Sequence, residues 1–260
     1  MAGLRQEQRG AARWLILDRP GQRNALTLEL IADLRAALTR AEGEGEVRAL
    51  CLTGAGEKAF CSGMDLGTQA GALQAGPTAA HEGRRAFAGL LADLSRLGKP
   101  VVAAVNGAVL GGGMGLLAAC DLAVAADDAR FGTPEVDVGL FPYMALAPLS
   151  RCLGRRAALE LVLTGRRIDA AEARSIGLIN RAVPRTELAN AAQELLDTLS
   201  QKSPTALRLG RRAFYATQDL PYEAQLEALC AQLSLNALSG DTAEGVAAFL
   251  EKRKPDFKGT

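Results

Sequence analysis

The sequence predicts an α/β fold, with a core of short strands and helices over residues 1–200 and a helical region over 201–260. Three observations support this prediction. Two apolar runs, 101–105 and 122–126, are bounded by turn residues, which is typical of strands covered on both faces. A glycine turn and a short apolar helix, 111–119, lie between them. Beyond residue 200 the pattern is wholly helical.

The first half of the core alternates strands with amphipathic helices. Residues 14–17 and 47–52 are predicted strands, each followed by turn residues. Between them Thr27 can cap a helix whose leucines and isoleucine fall on one face. A further helix ends at Leu97, before the glycine at position 98.

The second half of the core becomes progressively helical. A predicted helix ends at Leu153, and a second helix covers 155–163. Asp169 can cap a short helix that precedes a strand within 178–183. The remaining helices are predicted over 187–199 and from Ser203-Pro204, Tyr222 and Asp241 onward.

Composition narrows the classes of protein and partner. The 260 residues include 30 basic and 29 acidic side chains, a net charge of +1, which gives no support for nucleic acid or an acidic membrane as partner. No apolar run approaches the roughly 18 residues of a membrane span. Five cysteines show no metal-binding spacing, so no metal site is predicted, and their odd number fits a reducing cytoplasm.

The glycines at 111–113 indicate a site for negative charge. Glycines let a ligand approach the backbone closely, and the first N–H groups of the following helix point toward it. The spacing fits neither the P-loop nor the dinucleotide fingerprint. Glu135 follows the next strand by a few residues. Backbone N–H groups beside one carboxylate suit enolate chemistry, in which an oxyanion develops as a proton leaves.

These segments together resemble a known family. KPVVAAVNGAVLGGG, the later ACD, FGTPEVDVGL, LTGRRIDAAEARSIGLINRAVP and the tail AAFLEKRKPDFKG are similar to the enoyl-CoA hydratase/isomerase (crotonase) superfamily. The resemblance extends from about residue 15 to 259. It implies a crotonase-like spiral of strand-strand-helix units with a C-terminal helical trimerisation region, assembled as a homotrimer or homohexamer. It also implies an acyl-CoA thioester substrate and no separate cofactor, since coenzyme A belongs to the substrate.

The resemblance assigns roles within the site. It implies that the backbone N–H groups of Met64 and Gly112 form the oxyanion hole and that Glu135 is catalytic. Hydratases of the family carry a second glutamate twenty residues earlier, but position 115 is glycine here. Gly115, Asp137 and Tyr143 are expected in the substrate pocket, the last two as possible helpers that are more simply structural.

Coenzyme A contacts are also implied by the resemblance. Arg23, Lys58, Ser62 and Gly63 lie in segments that the family uses around the adenine and phosphates. The basic tail contains Lys252 and Lys254, and lysines of this tail contact CoA phosphates in this family, often across a subunit boundary. The same basic residues are explained equally well as the solvated end of a helix.

The residues favour isomerisation, without excluding hydration. Adding water to an enoyl thioester suits two carboxylates that share one water, whereas moving a double bond needs one carboxylate and the oxyanion donors. Hydration by Glu135 with another group therefore stays open. A non-catalytic acyl-CoA-binding protein is the alternative from another class, suggested by the missing glutamate at 115. His81, the only histidine, is expected to be a solvated surface residue.

Overall fold

Two β-sheets form the centre of the molecule. The structure is a computed structural model that describes residues 3–65, 67, 68, 71 and 74–260. The larger sheet has the order β1-β2-β3-β5-β7-β10 and is parallel except for the β1–β2 hairpin. Its strands are β1 Leu4–Arg9, β2 Ala12–Leu17, β3 Ala49–Gly54, β5 Val101–Val105, β7 Leu122–Ala126 and β10 Arg181–Val183.

The smaller sheet consists of three-residue strands in the order β4-β6-β8-β9. They are β4 Ala59–Cys61, β6 Ala108–Leu110, β8 Arg130–Gly132 and β9 Arg167–Asp169. Each parallel strand of this sheet follows a strand of the larger sheet, and a helix follows in turn, so the chain winds through successive strand-strand-helix units. None of these short strands is predicted by the sequence analysis, which also leaves out β1.

Ten α-helices lie wholly within the described part of the chain. They are α1 Leu28–Gly43, α2 Pro77–Arg96, α3 Gly112–Ala118, α4 Tyr143–Cys152, α5 Arg155–Thr164, α6 Ala170–Ser175, α7 Leu188–Ser200, α8 Pro204–Thr217, α9 Tyr222–Ala237 and α10 Gly240–Leu250. The predicted caps are confirmed, because Thr27, Asp169 and Ser203 each accept a hydrogen bond from a backbone N–H in the first turn of their helix.

Apolar side chains form two cores, one on each face of the larger sheet. The main core lies between the sheets and helices α1 to α5. The second core packs Leu188, Ala192 and Leu196 of α7 against Trp14 and neighbouring strand residues. The larger sheet is therefore covered on both faces, as its apolar strands predict.

The C-terminal helices are tied to the core by an ion pair. Arg211 on α8 contacts Asp121, with Nε 2.8 Å from Oδ2, and the Arg211 side chain is almost fully buried. Tyr215 also donates to this carboxylate, and so does the backbone N–H of Val101. Asp121 is therefore a structural acceptor that joins α8 to the larger sheet.

Candidate active site

The two predicted oxyanion donors lie where the chain segments at 63 and 112 meet. Gly63 has φ +94°, and a Cβ placed on it would lie 3.0 Å from the backbone nitrogen of Gly112. Only glycine permits both this backbone conformation and this approach. Gly112 begins α3, so its N–H has no acceptor within the helix.

Met64 is held from the opposite side by the segment before α1. The N–H of Leu26 donates to the carbonyl of Gly63, and the carbonyl of Leu26 accepts from the N–H of Asp65. This is a parallel bridge between Leu26 and Met64. In such a bridge the N–H of Met64 points away from Leu26.

Glu135 lies at the start of α3, beside the glycine turn. It belongs to the 3-10 helix Pro134–Val138, directly after β8. The pairing of β6 with β8 brings this helix to Gly111, whose N–H donates to the carbonyl of Gly132. A Cβ placed on Gly111 would lie only 2.9 Å from Oε1 of Glu135. The absence of a side chain at 111 therefore makes room for the carboxylate.

The environment of Glu135 suits a proton acceptor. Its Oε2 is buried and has no hydrogen-bond partner among the described residues. Burial raises the pKa of the Glu135 carboxyl above its ordinary value, since the charged form loses hydration. A carboxylate of raised pKa is a stronger base, and such perturbed groups cluster at catalytic sites.

Gly115 is buried beneath α4 and faces no open space. A Cβ placed on it would lie 3.0 Å from Cα and 3.3 Å from Cβ of Ala145. The place of Gly115 in the substrate pocket stays a prediction, and a side chain at 115 would require α4 to shift by a few tenths of an ångström. This packing contact joins residues that are thirty positions apart in the sequence.

The two predicted helpers, Asp137 and Tyr143, lie beside Gly165 and Phe141. Asp137 is exposed, and its Oδ1 faces Gly165 at the end of α5. Tyr143 is 75% exposed, and its ring centroid lies 5.0 Å from that of Phe141. Tyr143 lines a groove of about 960 Å³ between α2, α4 and α8, at the C-terminal end of α3.

Four of the predicted CoA-binding residues surround β4. Lys58 precedes this strand and is exposed, whereas Ser62 and Gly63 follow it. The N–H of Ser62 donates to the carbonyl of Arg23, 3.1 Å away, so Arg23 lies at the same end. The structure therefore brings these four together with the predicted oxyanion donors.

The two tail lysines are not brought to this end of the molecule within one chain. Lys252 and Lys254 are exposed. The tail beyond them is fixed by hydrogen bonds from Lys258 and Gly259 to Asp241, and by a bond from Arg48 to a tail carbonyl. Arg48 precedes β3, whereas β4 and the candidate site follow its other end.

The groups that nucleophilic catalysis would require are poorly placed. His81 is exposed on α2, as expected. Cys61 is buried beside the glycine turn, and burial raises the pKa of its thiol to about 12, so the thiol stays protonated. Neither residue presents an activated nucleophile.

One buried polar residue near the site was missed by the sequence analysis. Asn24 is fully buried and has φ +55°. It accepts from the N–H of Arg19 and donates to the carbonyls of Ala55 and Ala59. The available signal was an asparagine in a turn between a strand and a helix cap, since asparagine tolerates the left-handed region.

A two-sheet spiral with a glycine turn, beside which the partly buried carboxylate of Glu135 lies, is the architecture of a class of α/β enzyme. The comparisons with known proteins identify the family. A family model described as enoyl-CoA hydratase/isomerase matches residues 8–260. The chain therefore belongs to the enoyl-CoA hydratase/isomerase family.

Individual relatives agree over almost their whole length. A short-chain-enoyl-CoA hydratase of Clostridium acetobutylicum is 34% identical, with 95% of this chain and 94% of the relative covered. A carnitinyl-CoA dehydratase of Proteus mirabilis is 36% identical, with 96% of each chain covered. A crystal structure of an enoyl-CoA hydratase from Bacillus anthracis matches with a TM-score of 0.94 and 33% identity, covering 99% of this chain and 100% of that one. The predicted crotonase-type fold is confirmed, and the chain is an enzyme of this family.

Proposed function

We propose that this enzyme acts on unsaturated acyl-CoA thioesters through an oxyanion-stabilised enolate, and that it favours double-bond isomerisation over hydration. The observation that supports this proposal is the contrast between two positions. Glu135 is partly buried, and one oxygen of its carboxylate is buried with no hydrogen-bond partner among the described residues. At Gly115, where a hydratase would carry its second glutamate, Ala145 fills the space.

The reaction needs only groups of this chain and the substrate. The Glu135 carboxylate takes a proton from C2 of a 3-enoyl thioester, and the electrons of that bond move toward the thioester oxygen. The N–H groups of Met64 and Gly112 stabilise the resulting oxyanion. Glu135 then returns the proton to C4 on the same face, which gives the conjugated 2-enoyl thioester. No water enters and no separate cofactor is required.

Hydration remains the second candidate function, because the relatives above include an enzyme named as a hydratase. Adding water across the double bond would place its oxygen on C3 and a proton on C2. Glu135 could supply the proton, but a second group would have to activate the water. Asp137 and Tyr143 are the nearest candidates in sequence; Asp137 faces Gly165, and Tyr143 lines the groove between α2, α4 and α8.

We further propose a homotrimer or homohexamer. Apolar side chains are exposed on α9 and α10, among them Leu226, Leu233 and Phe249. Covering them would remove a large apolar surface from water. Assembly would also give Lys252 and Lys254 a route to the CoA phosphates of a neighbouring subunit.

The test compares two rates on matched substrates. We expect the enzyme to isomerise 3-enoyl-CoA faster than it hydrates 2-enoyl-CoA of the same chain length. Following the hydroxyacyl and enoyl products by chromatography separates the two reactions. Faster hydration would contradict the preference for isomerisation. Tight binding of a panel of acyl-CoAs without either reaction would favour the non-catalytic binding protein.

A further inference from the structure

We infer that Asn24 is a positioning residue, which sets the orientation of the Met64 N–H by fixing the segment 23–26 against the segment 62–65. The inference rests on the proposed oxyanion role of Met64. Asn24 is far from being an ordinary turn residue, because it is fully buried and hydrogen-bonded to three separate backbone groups.

The first step is the connection between the two segments. Ser62 donates to the carbonyl of Arg23, Leu26 donates to Gly63, and Asp65 donates to Leu26. These three bonds flank Met64 on both sides. Any shift of 23–26 relative to β4 must therefore change the direction of the Met64 N–H.

The second step is what holds 23–26 in place. The Asn24 side chain donates to the carbonyl of Ala59 at 2.7 Å, at the start of β4, and to Ala55 at 3.0 Å. It also accepts from the N–H of Arg19 at 3.0 Å, which closes the loop that precedes it. Asn24 thus links the loop directly to the strand that leads into the oxyanion segment.

The backbone at this point is strained, which indicates a constraint imposed by its surroundings. Arg23 and Asn24 have φ +52° and +55°, a conformation that is uncommon for residues other than glycine. Such outliers persist where the surrounding structure fixes them, often at functional sites. Arg19 adds a second tie, with its guanidinium 3.5 Å from the carboxylate of Asp65.

Asn106 is a natural control, because it has the same chemistry without the same connection. It is buried, and its side chain also donates to the carbonyl of Ala59. The other partners of its side chain are Gly54, the last residue of β3, and Gly56, in the turn that follows. Loss of its amide should destabilise the protein without moving the segment 23–26.

The experiment measures polarisation of the thioester carbonyl directly. Hexanoyl-CoA labelled with carbon-13 at C1 is bound at saturation, and isotope-edited infrared spectroscopy records its carbonyl stretch. Strong hydrogen bonds from the oxyanion hole lower this frequency. We expect a lowered band in the parent and a partial return toward the free value in Asn24→Gly, which keeps the backbone conformation but loses all three side-chain bonds.

Turnover should change in the same direction. A misdirected donor is expected to reduce kcat on the order of 10²-fold, with the Kd for the thioester changed only a few-fold. Asn24→Asp keeps the acceptor for the N–H of Arg19 but loses both donors. It should show the same change in the carbonyl band and in kcat as Asn24→Gly. Asp65→Asn weakens the second tie without opening the buried network, so it should give a smaller shift of the band even if the Asn24 variants do not fold.

The controls distinguish the possible failures. Asn106→Gly should lower the Tm comparably to Asn24→Gly while keeping the parental band. A parental band in folded Asn24→Gly, or in Asp65→Asn if the Asn24 variants do not fold, would overturn the inference, as would an equal loss of the shift in Asn106→Gly. A parent whose band does not move on binding would instead overturn the oxyanion assignment, and the inference along with it.

Discussion

At the scale of single residues, the proposed chemistry depends on one carboxylate, that of Glu135, whose charged form is disfavoured by burial. Glu135 is placed by β8 and its 3-10 helix against a glycine that leaves it room. Burial of an unpartnered oxygen raises the pKa of the carboxyl, which makes the carboxylate a stronger base. The same burial lowers the free energy of unfolding at neutral pH, where the carboxyl is charged.

Replacing Glu135 by glutamine should therefore raise stability at neutral pH. A carboxyl with a raised folded-state pKa binds its proton more tightly when folded than when unfolded. Its contribution to the free energy of unfolding is complete below the pKa of the carboxyl in the unfolded chain, about 4.3. This contribution is lost as the pH rises through the pKa of the carboxyl in the folded protein. The Tm of Glu135→Gln should exceed that of the parent at pH 7, and the difference should shrink toward acid pH. Thermal unfolding of both proteins from pH 4 to 8 measures this; a parent that is more stable than Glu135→Gln at pH 7 would contradict it.

A methyl group at Gly111 should displace the Glu135 carboxylate. Its Cβ would lie 2.9 Å from Oε1 of Glu135, so the carboxylate must shift. We expect Gly111→Ala to reduce kcat on the order of 10²-fold, as small misplacements of a catalytic group do. Steady-state kinetics on 3-enoyl-CoA provide the measurement.

Gly10 supplies the matched control for this variant. Gly10 has φ +57°, close to the +55° of Gly111, but a Cβ there meets only Asp197 at 3.9 Å. Gly10→Ala also places a methyl group on a positive-φ glycine, without a close contact, and should keep parental kcat, although Gly111, with ψ −123°, has the less common backbone conformation. If Gly10→Ala lost as much kcat as Gly111→Ala, backbone strain, and not displacement of the carboxylate, would explain the loss.

At the scale of elements, the packing of α3 against α4 explains why position 115 is glycine. Helix propensity alone predicts that Gly→Ala inside a helix stabilises by up to about 1 kcal/mol. We expect this for Gly210 in α8, where a Cβ meets nothing within 4 Å. At Gly115 the Cβ would meet the backbone of Ala145, so Gly115→Ala should destabilise by about 1–3 kcal/mol.

Urea denaturation of the two alanine variants tests this contrast of sign. Stabilisation by Gly115→Ala would show that α4 moves readily to make room for a side chain, and that position 115 could accommodate a glutamate. If α4 does not yield, Gly115→Glu should lose stability further and gain no hydratase activity, contrary to what the sequence alone suggests for an open position.

The sequence predicts those elements that depend on local signals. The helices that begin after Thr27, Asp169 and Ser203 could be predicted, because a capping side chain accepts a hydrogen bond from the first turn of its own helix. The strand Ala59–Cys61 was missed because it exists through pairing with residues almost fifty positions later, and three residues carry no period. Pairing of this kind is not encoded near the strand itself.

The same distinction applies to the site. Glu135, Met64 and Gly112 could be named from the sequence because motifs of the family carry them, and their catalytic roles remain predictions. The contact of Gly115 with Ala145, and the bonds of Asn24 to Ala59, join distant segments. Neither could be found without the folded arrangement.

At the scale of the whole molecule, the exposed apolar surface of the C-terminal helices predicts assembly. Within the described part of the chain, no helix combines the length and apolar character needed to cross a membrane. We expect a trimeric or hexameric mass by light scattering at micromolar concentration. Leu233 is 68% exposed in the single chain, so Leu233→Lys should weaken the assembly.

Glu227, exposed on the same helix, provides the control for that experiment. Glu227→Lys introduces the same charged group away from the apolar row that includes Leu233. It should leave the mass unchanged. A monomeric mass for the parent would remove both the assembly and the proposed route by which Lys252 and Lys254 reach CoA.

The central claim is that Glu135 moves a proton on an enolate held by backbone N–H groups, and deuterium exchange tests it most directly. The parent is incubated with saturated and 3-unsaturated acyl-CoAs in D₂O, and mass spectrometry and NMR locate the label. We predict deuterium at C2 of the saturated thioester, and at C2 and C4 of the unsaturated one. Glu135→Gln should reduce exchange by roughly 10²–10⁴-fold while its affinity for the thioester stays within a few-fold. Exchange at the parental rate in Glu135→Gln, or no exchange by a parent that binds these thioesters, would contradict the account.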